Sequence, residues 1–295
     1  MLSTNSESNP LRLSIAVPSS FIDIYPNKAQ KTQHIGRIAR AASIFQVDEI
    51  LVYLDEETQR QRRNNQLITQ VLEYMETPQY LRKHLFKKLP ELQYVGLLPP
   101  LRTPHHPVEK RIQKLKQGEI REGYAFQQGG QPVVDIGVEV PLPLQNIRSE
   151  RLPARITVQV HRSRSGDLVA QPYSFTQSHV YWGYKVQQVP SLLGDFLQKT
   201  SAYKFIVATT RKGNLVNNYA PLLRQTWQKV GHLLLLFGSH KEGLDAILSR
   251  EGLDLIAITS YQVNFLSAQG VATVRVEEAV LIGLTIFRLL EQAHL

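Results

Sequence analysis

Residues 11–55 restrict the fold more than any other stretch. LRLSIAV (11–17) alternates apolar positions and stops at Pro18, the pattern of a β-strand. From Lys28 to Phe45 the apolar residues Ile35, Ile38, Ala39, Ala42 and Phe45 recur at helical spacing. EILVYLD (49–55) is a second strand. Strand, helix and strand joined by such short links form a βαβ unit, whose strands run parallel. After Pro190 the alternation returns: KFIVATT (204–210) as strand, APLLRQTWQKV (220–230) as helix and HLLLLFG (232–238) as strand. GLDAILSR (243–250) and LDLIAITS (253–260), the latter as strand, lead to a helix over Val276–Glu291. Its apolar stripe is expected at Ala279, Ile282, Ile286 and Leu289.

Between these blocks the pattern changes. Residues 64–76 and 78–88 are expected to be helical, and LPPL (98–101) ends that block. From His105 to Gln188 come Gly129-Gly130, several prolines and short β-rich runs: VVDIGVEV (133–140), ARITVQVHR (154–162), DLVAQPY (167–173) and YWGYKV (181–186). Closely spaced strands with turn signals predict a small antiparallel barrel. The expected organisation is one α/β domain, residues 1–104 and 189–295, interrupted by a β-barrel domain at 105–188. A chain of 295 residues with 42% apolar content is long enough for both cores.

Several classes are excluded. No run of 18 apolar residues predicts a membrane span, and the polar start MLSTNSESNP lacks the form of a signal peptide. The absence of cysteine rules out disulfides, thiolate catalysis and cysteine-based zinc sites, and a cytoplasmic protein is expected. His105-His106 has no third ligand at a metal-binding spacing, so a loop role is expected and no metal. The net charge of +9 is uneven: −1 over 1–56, +7 over 57–118, +1 over 119–189 and +2 over 190–295. RQRR (60–63), RKHLFKK (82–88) and KRIQKLK (110–116) carry the excess. Either a polyanion such as nucleic acid or a solvated helical face accounts for it.

In a parallel sheet, ligands bind at the carboxyl ends of the strands. Three such ends lie in the C-terminal half: Ala208–Arg211, Phe237–Ser239 and Thr259–Gly270. None carries GxGxxG or GxxxxGK[ST], so no nucleotide-phosphate cradle is expected. Gly238 either permits a turn with positive φ or lets a small molecule approach the backbone. Glu277 and Glu278 fall in the first turn of the last helix, where carboxylates complement the dipole. Arg275 precedes them, and an ion pair with either glutamate is its structural role.

The ordered set LLLLFGSHKEGL (233–244), a further strand with a polar turn, and Gln269-Gly270-x-x-Thr273-Val274-Arg275-x-Glu277-Glu278-Ala279 entering an apolar helix resembles the SPOUT, or α/β-knot, RNA methyltransferases. It is most similar to the archaeal–eukaryotic subfamily with an inserted OB-fold. LSIAVPSS, RIARAASIF with VDEILVYLD, TPQYLRKHLF, LLPPL, HH and REGYA agree in the same order, and the resemblance runs from Leu11 to Leu290.

The resemblance implies a deep trefoil knot in the C-terminal part, with S-adenosylmethionine bent inside it and held largely by backbone groups. Carried over by position, the cofactor residues are Thr209, Thr210, Phe237, Gly238, Ser239, Glu242, Gly243, Asn264, Leu266, Gln269, Gly270, Thr273, Val274, Arg275 and Ala279. Gly238 and Gly243 would leave room for the cofactor. Phe265 stands where many relatives have proline, and relatives often have an acidic residue near Arg211. Methyl transfer from a sulfonium needs an in-line nucleophile held close, and a base nitrogen or hydroxyl must also lose a proton. Arg275 is the first candidate to orient the target or stabilise developing charge, Glu278 to accept a proton, and Thr209 or Arg211 to line the target pocket. An OB-fold implies RNA contacts from Arg155, Arg162, Arg164, Tyr173 and Lys185, with further rings at Phe175, Tyr181, Trp182 and Tyr184. The expected protein is a homodimeric methyltransferase of structured RNA, with ribosomal RNA first and a base nitrogen of uridine as target. The alternative is a non-catalytic RNA-binding or ribosome-assembly protein that keeps the fold.

Overall fold

Elements β1 (Arg12–Pro18), α1 (Lys28–Ile44) and β2 (Glu49–Leu54) form the expected βαβ unit, with β1 and β2 parallel and Ser14 opposite Glu49. The Asn27 side chain starts α1 by accepting the Gln30 N–H at 2.9 Å, which satisfies one of the free donors of the first turn. Ile35, Ile38, Ala39 and Ala42 are buried, the stripe that the spacing marks. The computed structural model describes residues 11–175 and 180–292, and the chain divides into two units. The first comprises Met1–Glu73, Glu91–Pro99 and Tyr184–Leu295, the second Tyr74–Pro90 and Pro100–Gly183.

The first unit is built on a six-stranded sheet that adds β8 (Lys185–Leu192), β9 (Ile206–Leu215), β10 (His232–Phe237) and β11 (Tyr261–Asn264). The order is β11-β9-β10-β1-β2-β8 and each neighbouring pair is parallel. Leu233 to Leu236 are all fully buried, as a central strand covered on both faces requires. Leu234 and Leu236 pack with Leu193, Leu244 and Leu255 from the short helices α4 (Leu193–Lys199), α6 (Leu244–Ser249) and α7 (Leu255–Ile258). Alternation places Leu233 and Leu235 on the opposite face. Helix α8 (Val276–Gln292) packs against α1 and α5 (Ala220–Val230), where Trp227 and Phe287 meet edge to face at 6.1 Å.

The second unit holds a five-stranded antiparallel sheet: β3 (Ile120–Gln128), β4 (Gln131–Asp135), β5 (Leu142–Pro143), β6 (Ala154–Arg162) and β7 (Leu168–Pro172), in the order β5-β4-β3-β6-β7. A bridge from Leu144 to Ala170 brings its two ends together, so the sheet is barrel-like and nearly closed. Gly129 and Gly130, at φ +59° and +80°, make the two-residue turn between β3 and β4 that only residues free of Cβ strain adopt readily. Val134, Ile136, Leu142, Val158, Val160 and Ala170 fill the interior.

Four local expectations are corrected. YWGYKV was expected as a barrel strand, yet the strand starts at Lys185 and pairs in parallel with β2 in the first unit. LDLIAITS folds as the short α7, capped by the Asp254 side chain on the Ile256 N–H at 3.0 Å, and the strand follows at Tyr261. Helix α2 (Gln59–Glu76) starts earlier than residue 64, and 78–88 forms only a 3₁₀ turn and α3 (Arg82–Leu85). The reason is that Arg82 turns back to cap α2, donating to the carbonyls of Thr77 at 3.0 Å and Met75 at 3.4 Å. Helix α8 buries Val276, Val280, Gly283, Leu284 and Phe287, not the stripe through Ile282 and Leu289. Gly283 explains the choice, because a Cβ there would stand 2.9 Å from the Phe265 ring and 3.2 Å from Phe237.

Candidate active site

The carboxyl ends of β9, β10 and β11 and the start of α8 enclose a cavity of about 450 Å³, a size suited to a small-molecule cofactor. Of the cofactor residues expected from the sequence, all except Gly270 and Arg275 line it. Lys212, His240, Asp245 and Val276 also line it and were not singled out, and Phe265 and Ile282 join them.

The loops are held by their own side chains. Tyr53, fully buried, donates its hydroxyl to the Phe237 carbonyl at 2.6 Å and anchors the end of β10. Ser239 closes the next turn: its backbone N–H donates to Glu242 O at 3.0 Å, and its Oγ accepts the Glu242 N–H at 3.0 Å. Asn264 donates to Arg211 O at 3.0 Å and accepts the Leu266 N–H at 2.9 Å. Gln269 donates to Val271 O at 2.9 Å, and Arg211 to Ala272 O at 3.3 Å. Thr209 donates its hydroxyl to Leu236 O at 2.9 Å, which ties β9 to β10. Lys212 pairs with Asp245 at 2.6 Å, and Glu242 with Arg250 at 2.9 Å.

Of the two explanations of Gly238 offered by the sequence, the turn with positive φ does not hold. Its φ is not positive, and a Cβ would stand 3.1 Å from Glu242 O, 3.2 Å from Leu244 N and 3.3 Å from Gly243 Cα. A Cβ at Gly243 would meet Asp245 Oδ1 at 2.5 Å. The close neighbour at each is the loop itself, its main chain at Gly238 and the end of the Asp245 side chain at Gly243.

With so many polar side chains engaged in holding the loops, the surface left for a guest combines main chain with Phe237, Leu266, Val274, Ala279 and Ile282. That lining fits a flat heteroaromatic group held by backbone amides and carbonyls. His240 adds a buried Nδ1 without a hydrogen-bond partner among the described residues, and burial pushes its imidazole below the ordinary range.

The carboxylates divide differently from the expectation. Glu278 is exposed and accepts the Arg275 backbone N–H at 2.9 Å, a helix-capping role. Glu277, 4% exposed, accepts from the Tyr25 hydroxyl and from His34 Nδ1, the latter at 2.6 Å. Its other oxygen has no partner among the described residues. The Tyr25 and His34 rings stack at 3.6 Å, and the Arg275 guanidinium lies 5.9 Å from the Tyr25 ring centroid. Burial, then Glu277, pushes the Tyr25 hydroxyl well above its usual range. Burial pushes His34 below its usual range, against the opposing pull of Glu277. Sequence spacing carries no signal for this cluster, because Glu277 lies more than 240 residues from Tyr25 and His34.

In the second unit, Arg155 was expected on an RNA face but donates inward to Glu76 at 2.7 and 2.9 Å and to Glu122 at 2.8 Å. Trp182 donates to the same Glu122 at 2.7 Å. Arg162 and Arg164 are exposed around the turn after β6. Tyr173 and Phe175 meet edge to face at 5.1 Å. Lys185 is exposed in β8 of the first unit, where Tyr184 is buried. His105 and His106 both reach the Glu76 carbonyl through Nε2, at 2.9 and 2.6 Å.

A cavity at the carboxyl ends of a parallel sheet is where such folds bind small molecules, and likeness to known proteins names the class. The family model described as "Putative RNA methyltransferase" matches residues 12–287, and the chain belongs to that RNA methyltransferase family. Among its relatives are proteins named 28S rRNA (uridine-N(3))-methyltransferase. The one from Drosophila melanogaster is 30% identical, over 94% of this chain and 61% of its own length. Those from Mus musculus and Homo sapiens are 30% and 31% identical, over 95% and 93% of this chain and 77% of their own lengths. No described helix is long and apolar enough to cross a membrane.

Proposed function

We propose that this chain transfers a methyl group from S-adenosylmethionine to N3 of a uridine in ribosomal RNA. The cavity at the ends of β9, β10 and β11 carries the reading, because its walls are the segments assigned to the cofactor by the SPOUT resemblance. Bound there, the cofactor supplies an electrophilic methyl group; this chain's residues bind it, orient the base and manage the proton. Uridine N3 bears a hydrogen that must leave before its lone pair can accept a methyl group, and negative charge then spreads to the flanking carbonyls. Arg275, at the entry to α8, is assigned to orient the base and stabilise that charge. Glu278, exposed beside it, is assigned to receive the proton. Thr209 and Arg211 flank the target.

The same reading includes the trefoil knot, the OB-fold character of the barrel unit with RNA contacts from Arg162, Arg164, Tyr173 and Lys185, a cytoplasmic location and a homodimer. The apolar stripe that α8 leaves unburied, with Leu281 at 46% and Leu289 at 61% exposure, supports the dimer.

Isothermal titration with S-adenosylmethionine tests the cofactor assignment. Wild type should bind, while Ala279→Trp, which fills the cavity, should not, with both proteins giving the same circular dichroism spectrum. Tritiated methyl should then appear in ribosomal RNA as N3-methyluridine on nucleoside analysis. Folded wild type that binds no cofactor refutes the assignment, and binding without transfer to any RNA makes it a non-catalytic protein.

A further inference from the structure

The net charge is not shared between the two units. The barrel unit holds 15 Lys and Arg against 8 Asp and Glu, a net of +7. The sheet unit holds the remaining 19 against 17, a net of +2. A surface for a polyanion is therefore to be sought on the barrel.

The outer face of β3 offers one. Residues alternate along this strand: Gly123 and Ala125 turn into the barrel, where Ala125 is fully buried, while Tyr124 and Phe126 turn outward and stay partly exposed. His84, from α3, lies over them. Its ring is parallel to Tyr124 within 7° at 4.5 Å, and 6.3 Å from Phe126 at 30°. These three rings, with Gln127, Leu152 and Pro153, line a cavity of about 560 Å³. The histidine ring is fixed by Asp135, whose Oδ2 meets Nε2 at 2.9 Å. Lys83 reaches the same oxygen at 3.1 Å, so this carboxylate faces two basic groups and presents no bare negative charge. Exposed Lys87 and Lys88 follow in the segment that carries His84, and exposed Arg151 precedes Leu152 on the other wall.

We infer that His84, Tyr124 and Phe126 form a base-stacking site on the barrel unit that takes an unpaired base of single-stranded RNA. Flat rings in near-parallel array offer a π-face that every nucleobase can stack upon, and cations in both flanking segments suit its phosphates. Gln127 places an amide where the edge of a base can be met. An aliphatic peptide would find a wall made mostly of rings, with only Leu152 and Pro153 as aliphatic cover. The site uses none of the residues expected to contact RNA, and it belongs to a different unit from the cofactor cavity.

The test uses the full chain and a fluorescent single-stranded 12-mer of uridines, with a 12-base-pair RNA duplex for comparison, at one fixed salt concentration. Tyr124→Leu and Phe126→Leu keep apolar cover over the barrel but remove the flat ring. Stacking contributes about 1–3 kcal/mol per base, so each should weaken binding of the 12-mer about 5- to 150-fold. Duplex binding should change less than twofold, because paired bases cannot enter. Melting temperature and S-adenosylmethionine affinity should stay at wild-type values, which separates failure of this site from failure of the methyltransferase assignment. Wild-type 12-mer affinity in the folded Tyr124→Leu/Phe126→Leu double variant overturns the inference and gives the ledge to a protein partner. Equal weakening for 12-mer and duplex also overturns it, since that result belongs to backbone contacts alone.

Discussion

Replacing Arg155 with methionine separates an RNA contact from an internal support. The guanidinium makes two hydrogen bonds to Glu76 at 2.7 and 2.9 Å and one to Glu122 at 2.8 Å. The two carboxylates are 12% and 6% exposed, while Arg155 is 27% exposed. Removing one partner of a buried pair costs about 3–5 kcal/mol, because the remaining charge is left without compensation. Water reaching the partly exposed arginine position places the expected loss at the lower end, about 3 kcal/mol. The lowered carboxyl of Glu76 points in the same direction. Burial raises its carboxyl, but His105 and Arg155 overcome this and hold it at about 2 rather than 4.5. That difference corresponds to about 3 kcal/mol, shared between His105 and Arg155. A depressed carboxylate contributes stability above its unfolded value, and this is lost as pH falls from 4.5 toward 2. Urea unfolding followed by tryptophan emission measures the effect, since Trp182 reports on this network through Glu122. The gap between wild type and Arg155→Met should be about 3 kcal/mol at pH 7 and about half that at pH 3. A gap below about 0.5 kcal/mol at pH 7, with 12-mer affinity lost instead, would show that Arg155 acts on RNA and that the ion-pair reasoning fails.

Two further outcomes follow from the buried titrating groups. Burial, reinforced by His105, pushes His106 down to about 4, so the unfolded chain takes up this proton first as pH falls. Stability should decline between pH 6.5 and 4, by up to about 3 kcal/mol from this residue, and thermal melts of His106→Gln should show a shallower decline than wild type; parallel curves would contradict it. Glu277→Ala, which leaves Tyr25 and His34 without their acceptor, should lower stability by about 2–4 kcal/mol, against about 1 kcal/mol or less for the exposed cap Glu278→Ala. Equal losses in chemical denaturation would mean that the Tyr25–His34–Glu277 cluster contributes nothing beyond helix capping.

Much of the sheet unit was legible because its signals are local. The βαβ opening, helix α5 with Pro221 in its first turn and Gly231 just past its end, and the leucine strand β10 each announce themselves within a few residues. The same holds for the three loops, since strand ends in a parallel sheet are where a ligand must approach. LDLIAITS misled because a short apolar run suits helix and strand equally, and only the Asp254 cap distinguished them. RKHLFKK misled because Arg82 caps the preceding helix from a distance that periodicity does not encode.

Most elements of the sheet unit and the segments that wall the cavity were thus written in the chain, since hydrophobic period, caps and glycine turns act between residues a few positions apart. Tertiary structure alone decided which stripe of α8 is buried, because that helix is apolar on more than one side and the Phe237 and Phe265 rings select the face with Gly283. It also turned Arg155 inward, and it chose Glu277 over its neighbour for burial beside Tyr25 and His34. Those choices depend on partners brought together from distant parts of the chain. A charge or an aromatic ring acquires its role from what folding sets against it.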